Sequence, residues 1–121
     1  MDIQLGTIET KFADMIWENE PVASSKLVKL CADSFGWKKS TTYTVLSRLC
    51  NKGLFQNNNG TVTSLISGDE FHSKQSKQFV DDSFGGSLPA FLAAFMNGKK
   101  ISEKEVREIE DMISKFREEN R

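Results

Sequence analysis

The sequence predicts a mainly α chain with one small β-hairpin, and three observations carry that expectation. Apolar residues recur at three- and four-residue spacing in three successive stretches before residue 54, the mark of amphipathic helices. An Asn-Asn-Asn-Gly run at 57–60 then stands between two β-rich segments. From Ser67 onward the last 55 residues read as helix throughout, punctuated by two capping boxes. At 121 residues there is room for one domain and a smaller appendage, and none for a second full-size catalytic domain. With 38% hydrophobic residues and nine Phe, the chain has the apolar bulk for a packed core.

The first helix is expected from about Thr7 to Asn19, where Leu5, Ile8, Phe12, Met15 and Ile16 form the stripe and Pro21 stops it. Ser24 or Ser25 is expected to cap a second helix running to about Ser34, with Leu27, Val28 and Cys31 turned inward and Gly36 as its end. A third helix begins near Ser40, turns Thr42, Val45, Leu46 and Leu49 inward, and breaks at Gly53. Two helices of similar length joined by a short turn make a helix-turn-helix. Leu54-Phe55-Gln56 and Thr61 to Ile66 follow as strands, because Asn-Gly tolerates the positive φ of a tight turn. Three helices and a hairpin predict a winged helix-turn-helix domain over residues 1–66.

Ser67-Gly68-Asp69-Glu70 opens a helix through about Asp82, and Gly85-Gly86 interrupts it. Ser87 and Pro89 suit the first turn of the next helix, which Asn97-Gly98 closes. Ser102-Glu103-Lys104-Glu105 opens the last helix, in which Val106, Ile109, Ile113 and Phe116 repeat at three, four and three residues as a seam for another helix. So short a helical segment, 67–121, has difficulty burying Phe71, Phe79, Phe84, Phe91, Phe95 and Phe116 alone. Homodimerisation is therefore expected, through Phe84, Leu88, Phe91, Leu92, Phe95, Val106, Ile109, Ile113 and Phe116. The alternative is packing of these helices back onto the first domain.

Charge divides unevenly along the chain. Between Asp33 and Asp69 there is no acidic residue, while Lys38, Lys39, Arg48 and Lys52 give +4; the net charge is −1, so the remainder carries −5. A basic stretch on an otherwise acidic protein is a local footprint of the kind that meets phosphate. The third helix lies inside it. Opposite its core stripe stand Thr41, Tyr43, Thr44, Ser47, Arg48 and Asn51, all able to hydrogen-bond and none acidic. Hydroxyls and an Arg fork suit base edges, and Lys38, Lys39 and the helix start at Ser40 suit phosphate. The candidate DNA-binding set is thus Lys38, Lys39, Ser40, Thr41, Tyr43, Thr44, Ser47 and Arg48. A plain solvated helix is the bland reading, but such helices usually carry Glu as well as Lys.

Several of these runs resemble one family. Leu5-Gly6-Thr7-Ile8-Glu9, Trp17-Glu18 with Pro21-Val22, Trp37 with the run from Lys38 to Leu49, Lys52-Gly53, and Phe84-Gly85-Gly86-Ser87 through Phe95 are similar to the penicillinase-repressor family of BlaI and MecI type, with CopY as a cousin. The resemblance spans nearly the whole chain. It implies a dimeric winged-helix transcriptional repressor that binds a palindromic operator on double-stranded DNA and pairs its protomers through the C-terminal segment. It also implies a membrane sensor with a metalloprotease domain, whose signal leads to cleavage in the helix after the Phe-Gly-Ser region and so to release of DNA. The matching bond is Ala94-Phe95, where the family pattern has Asn before Phe. In the wing the family usually has Gly-Arg and an aromatic, where this chain has Gly60-Thr61 and Ser64. Copper-sensing cousins end in Cys-x-Cys motifs, and Phe116 to Arg121 contain no cysteine, which argues against copper.

Other functions find little support. No run approaches the roughly 18 apolar residues of a membrane span, and MDIQLGTIET lacks the blocks of a secretory signal, so a cytoplasmic protein is expected. Cys31, Cys50 and His72 do not share ligand spacing, so no metal or cofactor is expected. The chain has no GxSxG, P-loop or dinucleotide fingerprint; His72 and the pair Asp81-Asp82 read as surface groups, and neither an enzyme nor a small-molecule substrate is expected. The rival reading is a winged-helix protein-interaction module without DNA binding.

Overall fold

The computed structural model describes residues 4–98 and 100–121. Helix α1 spans Thr7–Asn19 and buries Phe12, Ala13 and Ile16. Its start is held by a reach-back bond, in which the Gly6 N–H donates to Glu9 Oε1 at 3.3 Å. Ile8, placed on the stripe by spacing, is 48% exposed, so the buried face is narrower than the periodicity implied. Strand β1, Val22–Ala23, follows the turn at Pro21. It was not foreseen, because two residues are too few to show an alternating pattern.

Helix α2 spans Ser24–Phe35 and buries Leu27 and Cys31, while Val28 is only half-buried. Neither serine caps it. Ala23 is the N-cap residue and Ser24 is the first residue inside the helix. Its N–H donates to the Gly60 carbonyl at 2.7 Å, and its hydroxyl shares a 3.1 Å bond with the Tyr43 hydroxyl. Gly36 ends the helix in the left-handed region at φ 69°, as a C-terminal glycine does. Helix α3, Lys39–Asn51, buries Thr42, Val45, Leu46 and Leu49.

Strands β2, Phe55–Asn58, and β3, Thr61–Ser64, pair antiparallel from Phe55↔Ser64 to Asn58↔Thr61. The connection is therefore the two residues Asn59 and Gly60, at φ 52° and 89°, the positive values that a type I′ turn needs. The turn is tighter than the four-residue run in the sequence, and β2 extends to Asn58 rather than stopping at Gln56. Strand β1 adds to the other edge of β3 through Val22↔Val62 and Ala23↔Thr61, giving the sheet order β1-β3-β2.

Helix α4 spans Gly68–Phe84, α5 spans Leu88–Met96 and α6 spans Glu103–Glu119. Ser67 and Ser102 cap their helices as expected and Ser87 caps α5 as well: each accepts at 3.1 Å from the N–H three residues on. The chain divides into two compact units, 1–78 and 79–121, so the division falls inside α4, beyond residue 66. Phe71 explains why the first turns of α4 belong with the first unit. It is 2% exposed within a core that also holds Phe12, Ile16, Leu27, Leu49, Leu54, Phe55 and Val62. The Trp17 ring lies 5.3 Å from Phe55 and 5.5 Å from Phe71, and its Nε1 donates to the Ile66 carbonyl at 2.9 Å.

The second unit is held differently. Phe79, Phe84 and Phe91 meet edge to face or tilted at 5.6–6.1 Å, and Phe91 meets Phe95 at 6.0 Å. No residue of α5 or α6 is buried. Among the described residues, no helix is long and apolar enough to cross a membrane.

Candidate nucleic-acid interface

The two sides of α3 differ as the sequence implies. Thr42 and Leu49 are fully buried, while Ser40, Thr41, Thr44, Ser47, Arg48 and Asn51 are exposed, as are Lys38 and Lys39 at its start. No side chain caps that N-terminus. Backbone N–H groups at an uncapped helix start, with two lysines beside them, are the arrangement that favours negative charge. Thr44 Oγ1 donates back to the Ser40 carbonyl at 2.9 Å, which leaves its lone pairs outward.

Tyr43 departs from the candidate set. It is half-buried against the core, and its hydroxyl is engaged with Ser24, so it braces α3 on α2 rather than standing on the open face. Periodicity alone could not separate it from Thr44.

The structure also brings an acid to the basic segment. Glu9 of α1 approaches both Arg48 Nη1 and Lys52 Nζ at 3.6 Å, and Lys52 Nζ donates to the Gln4 carbonyl at 3.1 Å. The absence of acid between Asp33 and Asp69 is thus a fact about the sequence and not about the surface. Nothing in the local pattern could have paired Glu9 with residues some forty positions away. Burial pushes the Glu9 carboxyl up, but the Gly6 N–H, Lys52 and Arg48 outweigh it and hold it below its ordinary 4.5. A depressed folded-state value contributes stability that is present above pH 4.5 and lost as pH falls through the lowered value. Thermal denaturation of Glu9→Gln against the parent should therefore converge at acid pH and diverge near neutrality; parallel curves would refute this contribution.

In the wing, Ser64 faces inward. Its N–H donates to Glu20 Oε1 at 2.9 Å and its hydroxyl reaches both carboxylate oxygens at 2.8 and 2.9 Å. Thr61 is exposed and no basic residue occurs between Phe55 and Ser64.

Of the proposed pairing residues, Leu88, Phe95, Ile109, Ile113 and Phe116 are exposed, and Phe84, Phe91, Leu92 and Val106 are half-buried. Met112 joins the seam at 69% exposure. Ala94 is exposed, and the Ala94-Phe95 bond lies within the last turns of α5. Burial raises the Cys31 and Cys50 thiols above their ordinary 9.0, as befits apolar packing residues. His72 Nε2 and Asp14 Oδ1 meet at 3.2 Å on the surface. Among the described residues, no group of three His, Cys, Asp or Glu could hold a metal ion.

Three helices, a helix-turn-helix and a three-stranded wing define a winged-helix protein, here extended by a C-terminal helical unit. The chain matches the penicillinase repressor family over residues 5–115 and belongs to that family. It is 20% identical over 116 residues to the methicillin resistance regulatory protein MecI of Staphylococcus aureus strain Mu50, covering 93% of this chain and 94% of that protein. Identity to the penicillinase repressor of Bacillus licheniformis is 22% over 118 residues, covering 94% and 92%. A penicillinase repressor of Staphylococcus aureus is 21% identical over 116 residues, covering 93% and 92%.

Proposed function

We propose that the protein is a cytoplasmic, homodimeric transcriptional repressor whose α3 reads a palindromic operator in double-stranded DNA. Residues 1–66 serve as the DNA-binding domain, with Phe71 of α4 completing its core, and the helical segment 67–121 serves in dimerisation. The observation that carries this reading is the composition of α3, whose exposed side offers Thr41, Thr44, Ser47 and Arg48 beside Lys38 and Lys39 and no acid of its own. Self-pairing is supported by Ile109, Met112, Ile113 and Phe116, all exposed on a helix that buries nothing. A two-fold dimer presents the same helix twice, which matches a palindrome. Release follows the family's proteolytic route, through a membrane sensor metalloprotease pathway acting at Ala94-Phe95. A cut there separates Phe79, Phe84 and Phe91 from α6 in sequence. No catalytic activity, cofactor or small-molecule substrate belongs to this reading.

A second reading is a winged-helix interaction module, favoured by a wing without basic residues whose Ser64 is tied to Glu20. Titration of a labelled duplex over a range of salt separates the two. A DNA reader loses affinity steeply, with a slope of about −0.9 per phosphate neutralised. Absence of salt-dependent binding to any duplex, including pools selected from random sequence, would overturn the repressor reading.

A further inference from the structure

Glu9 is an odd companion for a helix that is to meet DNA. Its Oε1 is fixed by the Gly6 N–H, while its Oε2 is buried without a hydrogen-bond partner and lies 3.6 Å from both Arg48 and Lys52. Arg48 is the looser of the two cations, with 53% of its side chain exposed against 33% for Lys52, and Lys52 is also anchored on the Gln4 carbonyl. Arg48 can therefore swing away while Lys52 continues to neutralise the carboxylate. The reverse exchange would break two attachments instead of one.

Resting on the DNA-binding reading above, we propose that Glu9 is a positioning residue that keeps Arg48 off the phosphates in non-specific complexes, so that Arg48 is released only to a base edge. The preference follows from magnitudes. Because the Arg48 side chain is half exposed, its pair with Glu9 is worth about as much as an exposed Arg-phosphate contact, and trading one for the other gains nothing. A bidentate bond to a guanine edge, formed inside the groove, is worth more than an exposed ion pair and draws Arg48 out. Arg48 thus contributes to operator binding while staying silent on random DNA.

The test measures anisotropy of a labelled random-sequence duplex against salt for the parent, Glu9→Gln, Arg48→Ala and the double variant. Glu9→Gln keeps the Gly6 bond, because an amide oxygen still accepts it. It should tighten binding about two- to fivefold at low salt and steepen the salt slope by about one, as a freed Arg48 takes a phosphate. Adding Arg48→Ala to Glu9→Gln should abolish both gains. Arg48→Ala alone should leave the slope nearly unchanged, and this arm holds whether or not Glu9→Gln folds well. A slope lowered by about one in Arg48→Ala, or a Glu9→Gln gain that survives the double variant, overturns the proposal while the DNA reading stands. A parent that binds no duplex overturns both.

Discussion

Replacing Ile109 and Ile113 together by Glu should leave a protein that sediments as a monomer at micromolar concentration and has lost most of its operator affinity. Both residues are exposed in the single chain, at 38% and 51%, and both lie on the seam of α6 with Met112 and Phe116. Burying the part of each side chain still exposed contributes about 1 kcal/mol, roughly half the value for full burial, and two-fold symmetry counts every substitution twice. The variant also brings carboxylates into an apolar contact, which adds a desolvation cost. The core of the first unit contains neither residue, so its thermal unfolding should match the parent. Operator binding should fall by about 10²–10⁴, the range by which joining two modules exceeds one. A variant that remains dimeric would show that α6 is not the pairing helix; a monomer that keeps full affinity would separate pairing from DNA binding.

Much of the fold was legible because local signals agreed with one another. Helix α1 has the expected ends, Ser67 and Ser102 cap their helices, and Asn59-Gly60 makes the hairpin turn. Each of these depends on residues within four positions, where sequence spacing and spatial spacing coincide. What was not legible depends on long separations. Strand β1 exists because β3 offers an edge to Val22 and Ala23, and Ser24 turns to Tyr43 rather than capping its helix for a tertiary reason. Phe71 draws the start of α4 into the first unit by packing near Trp17, fifty-four positions earlier in the chain. The site shows the same division. The exposed and buried sides of α3 follow from period alone, whereas the Glu9 carboxylate among its basic residues, and the loss of Tyr43 from its open face, come only from how α1 and α2 pack.

Arg48→Ala should weaken operator binding by about 1–3 kcal/mol and relax preference at one base pair, while Lys38→Ala or Lys39→Ala should weaken all duplexes alike and lower the salt slope by about one. The contrast follows from position. Lys38 and Lys39 stand exposed at the uncapped start of α3, where a phosphate would also receive backbone N–H donors. Arg48 lies seven residues after Thr41 and four after Thr44, so the three share one side of the helix, two turns deep from its start. Only a helix lying in the major groove brings such a row onto base edges, and two copies on a dimer would reach grooves about 34 Å apart or a multiple of that. Arg48 must also leave Glu9 to bind a base, so the measured loss on truncation is what remains after that ion pair is given up. Its effect should therefore fall toward the lower end of the range in the parent and rise in a Glu9→Gln background. Selection from a random duplex pool, followed by titration of each variant on the enriched site, reads both quantities. Should Arg48→Ala, Thr41→Ala and Thr44→Ala all bind that site as tightly as the parent while remaining folded, α3 is not the reading helix.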